Sequence, residues 1–105
     1  MIKAGDLNQR LALETKTFTE NSFGEREDSW QTLATVWAAK RLFSQKDIAK
    51  QSGELAQAEV KFLIRYRSDV TSDMRFQYKG EAYYITALEE TLDDTGLIIF
   101  GRKNR

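Results

Sequence analysis

The sequence has no cysteine, no histidine and no proline among its 105 residues. Without cysteine there is no disulfide, no thiolate zinc site and no thiol nucleophile. Without histidine there is no Ser-His-Asp or Cys-His chemistry and no imidazole metal site. Without proline there is no cis-proline turn. A charge excess is also missing: 16 basic residues face 16 acidic ones, for a formal net charge of zero. A sequence-independent nucleic-acid binder is expected to carry positive excess, so that class falls in rank. Weak colloidal repulsion suits a protein that associates with others. No run approaches 18 consecutive apolar residues, and Met1 to Asp6 lack the apolar core of a signal peptide. The expectation is a chain made and kept in a cytoplasm, or released from one by lysis.

What is present is a globular balance, with 30% charged and 41% hydrophobic residues. A chain of this length holds one core, and residues 1–105 read as a single domain. Much of it alternates with a period of two. Leu11 and Leu13 share one face. From Ala34 to Phe43, one face carries Val36, Ala38 and Leu42, and the other carries Trp37, Ala39 and Phe43. Val60, Phe62, Ile64 and Tyr66 form the clearest half-buried strand, opposed by Lys61, Arg65 and Arg67. Met74, Phe76 and Tyr78 repeat the pattern, and Tyr83, Ile85 and Ala87 resume it after a tight turn at Gly80. A second turn falls at Asp93 to Gly96, with Gly96 free to take positive φ. Leu97 to Phe100 is apolar on both faces. About six short strands with glycine turns predict a small antiparallel β-barrel or sandwich.

Two segments break the rhythm. Residues 19–28, TENSFGERED, form a polar loop longer than a tight hairpin, which predicts a projecting arm. Residues 44–59, SQKDIAKQSGELAQAE, favour a short helix with Ser44 or Asp47 as cap. Its apolar stripe is thin, with Ile48 and Leu55 seven apart and Ala49 and Ala56 beside them. Gly53 weakens it by about 1 kcal/mol relative to alanine. Such a helix is marginal alone and is expected to order fully only against a partner.

Candidate chemistry is sparse. Glu89, Glu90, Asp93 and Asp94 form an acidic knot, but their spacing does not match a calcium-binding loop. A solvated turn is the simpler reading, and no metal is expected. Glycoside-type catalysis needs two carboxylates across a cleft, and no pair among the 16 acids stands out. No glycine-rich phosphate loop exists. The expectation is therefore no enzyme and no cofactor. Basic residues cluster at Lys46, Lys50, Lys61, Arg65 and Arg67, and at Arg102, Lys103 and Arg105. They read as contacts for phosphate or an acidic partner, or as a solvated strand face and a tail. Of the aromatic residues, Phe62, Tyr66, Phe76 and Tyr83 read as core. Phe18 and Phe23 flank or occupy the polar loop, and Phe23 beside Gly24 reads as an apolar anchor for a neighbouring subunit.

The order of these pieces carries a resemblance. The opening GDLNQRLAL, then Gly24, Trp30, Ala34, Val36, Trp37 and Ala38, is similar to one family's pattern. So are Ile64-Arg65-Tyr66-Arg67, Thr71, Met74-Arg75, Gly80 and Tyr83-Tyr84-Ile85. The chain resembles the head–tail joining proteins of tailed bacteriophages, also called head–tail adaptors, connectors or head-closure (stopper) proteins. One departure is Asp73, where the family often has glycine, with a proline nearby. The resemblance implies a small β-barrel with a long loop between its second and third strands, here residues 44–59. It implies a virion component assembled in the host bacterial cytoplasm, forming a six- or twelve-fold ring at the head–tail junction of a phage or prophage. The implied partners are further copies of the chain, a portal or adaptor protein, a tail-terminator or other tail protein, and genomic DNA passing without sequence-specific binding. Phe18, Phe23, Glu25 and Arg26 on the arm are then expected to contact a neighbouring subunit or the portal side. Lys46, Ile48, Lys50 and Leu55 are expected to face a channel that the loop helps to close. The alternative is an OB-like module binding single-stranded nucleic acid, which requires exposed aromatics on one sheet face and a basic groove.

Overall fold

The computed structural model describes residues 5, 7–43, 45, 58–91 and 94–103. Its six strands are β1 (Gln9–Glu20), β2 (Arg26–Lys40), β3 (Val60–Arg65), β4 (Arg75–Tyr78), β5 (Glu81–Glu90) and β6 (Gly96–Arg102). All pairings are antiparallel, and the order β1-β2-β3-β6-β5-β4 returns to β1 and closes a barrel. The expected barrel of about six strands is the fold found. The helix expected in 44–59 falls almost wholly outside the described residues, and Lys46, Ile48, Lys50 and Leu55 lie outside them.

Alternation builds the interior. Leu11 and Leu13, Phe62 and Ile64, Phe76 and Tyr78, Tyr83 and Ile85, and Leu97 and Ile99 all point inward and are buried. The ring of Phe76 stacks on Tyr83 at 5.5 Å and meets Phe62 edge-on at 5.7 Å. Residues 66–74 connect β3 to β4 across one end of the barrel. Val70 and Met74 in this crossing join the buried cluster and close that end. The crossing is tied down where the Ile85 N–H donates to the Met74 carbonyl at 3.1 Å. The β4–β5 turn has the two residues Lys79 and Gly80 at φ 50° and 81°. This is the mirror-type turn that matches strand twist, with glycine at its second position.

Some expectations need correction. Tyr66 follows the period of Val60, Phe62 and Ile64, but β3 ends at Arg65 and the Tyr66 side chain is 45% exposed. Period two carries a face only while the chain stays extended in the sheet. Likewise β2 ends at Lys40, so Leu42 leaves the inward face and stands 92% exposed. Phe43 instead meets Phe100 edge-on at 5.9 Å. In the last turn, positive φ falls on Asp94 (58°), and Gly96 opens β6 in extended conformation. Aspartate tolerates the left-handed region through its short polar side chain.

Two residues are extra in the ladders. Leu33 of β2 is bulged against Leu13/Glu14 of β1, and Thr86 of β5 against β6. The Thr86 hydroxyl is buried and finds no partner among the described residues. A desolvated hydroxyl without a partner is unfavourable, whereas an apolar group of similar shape is not. Thr86→Val is therefore expected to leave stability unchanged or raise it by about 1 kcal/mol. A urea melt reads this directly, and a loss of stability would mean the hydroxyl is satisfied.

Candidate functional site

The first candidate surface is an arm. Pairing of β1 with β4 stops at Glu14, while pairing of β1 with β2 continues to Glu20 and Arg26. Six residues of β1 thus run past the barrel, about 20 Å at strand rise. The sequence marks this exit. The inward phase of Leu11 and Leu13 continues as Thr15, Thr17 and Thr19, which have no core to face. These positions pair with hydroxyl and polar partners. The Thr17 and Ser29 hydroxyls lie 2.7 Å apart, and Lys16 Nζ lies 3.2 Å from Asp28. Half of residues 19–28 are thus strand rather than loop, and the turn proper is only 21–25.

Asn21 organises that turn. Its Oδ1 accepts from the Phe23 N–H (2.9 Å) and the Glu25 N–H (3.0 Å). Its Nδ2 donates to Glu27 (3.2 Å) and Glu25 (3.4 Å). Gly24 supplies φ 79°. The effect is to present Phe23 outward, 86% exposed, on a backbone held by its own hydrogen bonds. Phe18 is 52% exposed, with the Arg26 guanidinium stacked on its ring at 3.6 Å. So the structure brings Phe18, Arg26, Glu25 and Phe23 to one arm tip. At the root, Trp30 stands edge-on to Tyr84 at 6.0 Å, with Arg75 over its ring at 4.5 Å. Arg75 also donates from Nε to Glu14 at 2.6 Å. Trp30 therefore clamps the arm to the outer wall of β4 and β5.

The second surface is a groove on the outer wall, lined by Leu7, Thr35, Val36, Trp37, Arg65, Tyr66 and Arg67. Trp37 is 52% exposed, and the Arg10 guanidinium lies 4.4 Å from its ring centroid. Arg67 makes a two-pronged pair with Asp69, at 3.0 and 2.9 Å. Sequence reasoning missed this site because it placed Tyr66 in the core and left Trp37 on a strand face. The signal was Trp37 beside Ala39, with arginine on both neighbouring strands. The hydrogen bonds from Arg67 hold the Asp69 carboxyl below the usual carboxylate range. A depressed folded pKa stabilises the pair above the ordinary value, and that contribution is lost as pH falls through the depressed one. NMR titration is expected to show this low midpoint, and Arg67→Ala to return it to the ordinary value.

Among the described residues no three acidic side chains gather in a cluster able to hold a metal. The two surfaces offer contact area, cationic groups and aromatic faces.

Residues 2–101 match the family described as phage head completion protein. The chain belongs to that family. A phage head completion protein is a structural component of the phage head, so a contact arm and groove suit its role. The solved structure of protein SF1141 from Shigella flexneri 2a is similar, with TM-score 0.79 and 27% identity over 98% of this chain and 97% of that one. A chain from the virion of a native gene transfer agent particle shares the fold, with TM-score 0.59 and 18% identity over 92% of this chain and 94% of that one. No curated protein matches significantly.

Proposed function

We propose that this phage head completion protein forms a ring at the head–tail junction, between the portal or adaptor complex and the tail, and helps to retain packaged DNA. Its role is structural, without catalysis. The observation that carries this reading is the family match over residues 2–101. The outward Phe23 on a braced arm supports it, because a closed ring needs a contact element that leaves its own subunit. The connection after β2 lies at the opposite end of that strand from the arm tip. In this reading the arm contacts a neighbour while residues 44–59 face the lumen, with Lys46 and Lys50 toward DNA and Ile48 and Leu55 against the ring. A second reading, an oligonucleotide-binding barrel, draws on Trp37, Tyr66 and the arginines beside them. Zero net charge weighs against it.

The test is complementation of particles lacking the chain. Filled heads without it are expected to lose DNA and fail to join tails, and purified protein is expected to restore joining. Heads that retain DNA and join tails equally well without it would overturn the proposal.

A further inference from the structure

The arm tip and the groove are complementary, and within one chain they are far apart. Thr35 lies nine residues along β2 from the turn that carries Phe23, roughly 30 Å at strand rise. Pairing of β1 with β2 out to Glu20 and Arg26 keeps the arm extended, so the tip does not fold back onto its own groove. Residues 20–28 hold four carboxylates and one arginine. Among the described residues, the charged side chains lining the groove are Arg65 and Arg67, with Arg10 over Trp37 and Asp69 paired to Arg67. An acidic, phenylalanine-tipped arm thus matches a basic, aromatic-lined groove. A further observation points the same way. Among the described residues β2 pairs with β3 only over Ala38 to Lys40, so its edge from Arg26 to Trp37 has no strand beside it. The groove lies at the inner end of that edge, between Thr35–Trp37 and the departing Arg65–Arg67, and an unpaired strand edge is a template for an added strand.

We infer that the groove receives the arm of a second copy of this chain, with Phe23 against Trp37 and Tyr66 and the arm carboxylates against Arg65 and Arg10. The contact is heterologous: each copy gives its arm to one neighbour and its groove to the other. Repetition by rotation closes a ring without any self-complementary face. This deepens the proposed function and rests on the ring reading. It assigns the arm's partner as the chain itself rather than the portal or tail.

The absence of native cysteine makes the test clean. Ser22→Cys leaves Phe23 in place and puts a thiol at the tip, and Thr35→Cys puts one in the groove. On mild oxidation, free and in complemented particles, the double variant is expected to give a covalent ladder extending past the dimer. Each single variant, whose thiol meets no thiol across that contact, is expected to give no product beyond a dimer. Glu25→Arg and Arg65→Glu are each expected to weaken self-association about tenfold, and together to restore it. A double-cysteine chain that enters particles but gives no ladder overturns the arm-in-groove contact and leaves the junction role standing. A chain that never enters particles overturns the role, while a ladder from the free protein still supports the contact. Salt-sensitive oligonucleotide binding lost in Trp37→Ala, with no ladder, overturns the inference in favour of nucleic acid.

Discussion

Gly101→Ala is expected to lower stability by about 1–3 kcal/mol, a large effect for one methyl group. A Cβ on Gly101 would lie 2.8 Å from both Cε1 and Cζ of Phe76 and 3.3 Å from the Tyr84 carbonyl oxygen. Such distances demand movement, and little is available. Phe76 is fully buried, stacked on Tyr83 with an interplanar angle of 13° and met edge-on by Phe62. Gly101 also pairs with Val60 on one side and Ile85 on the other, so the backbone is held from both strands. Gly101 is thus a notch for the Phe76 ring. A double-mutant cycle isolates the notch. Phe76→Leu alone is expected to cost about 1–2 kcal/mol through the space it leaves. In that background Gly101→Ala is expected to cost about 1 kcal/mol less than in the parent, because the clashing ring is gone. Denaturant midpoints at constant slope measure all four proteins. Additivity within about 0.3 kcal/mol would mean that the notch does not exist.

This notch also shows what a sequence conceals. Period two exposed the core strands because Phe62 and Ile64, or Phe76 and Tyr78, face an interior that only apolar side chains fill. Beyond the barrel there is no interior, so the arm alternates polar with polar, as Thr15, Lys16 and Thr17 do. The strand signal vanishes there although the strand continues to Glu20. Bulges at Leu33 and Thr86 shift the phase by one residue, and single-sequence alternation reads that as a strand end. Tyr66 failed in the opposite direction, since its phase persisted after the chain had left the sheet. The arm residues Phe18 and Phe23 were legible because large apolar groups in a polar stretch need an explanation. The groove was not, because Trp37 and Tyr66 come together from β2 and the end of β3, and only the pairing of β2 with β3 across the long connection makes them neighbours.

The arm's direction depends on its root, and removing Arg75 is expected to cost about 2–4 kcal/mol. Glu14 and Arg75 are mostly shielded, with side-chain exposures of 13% and 19%. Arg75→Ala strips the Glu14 carboxylate of its charged partner at 2.6 Å and, among the described residues, leaves it the Gln77 amide at 3.3 Å. It also removes the guanidinium over Trp30. Arg75→Lys keeps the charge but not the planar fork, and is expected to recover only part of the loss. Trp30→Ala separates the two consequences. The barrel core does not use Trp30, so most of the molecule is expected to remain folded, while amide exchange in 15–29 accelerates at least about tenfold. Equal acceleration across arm and barrel amides would mean that Trp30 is ordinary wall packing. Differential loss would mean that the clamp holds the arm at a set angle. In the proposed ring that angle matters, because a ring closes only when each subunit meets the next at one fixed rotation. An arm ordered before contact also loses less conformational freedom on docking, so a clamp at its root strengthens every contact made at its tip.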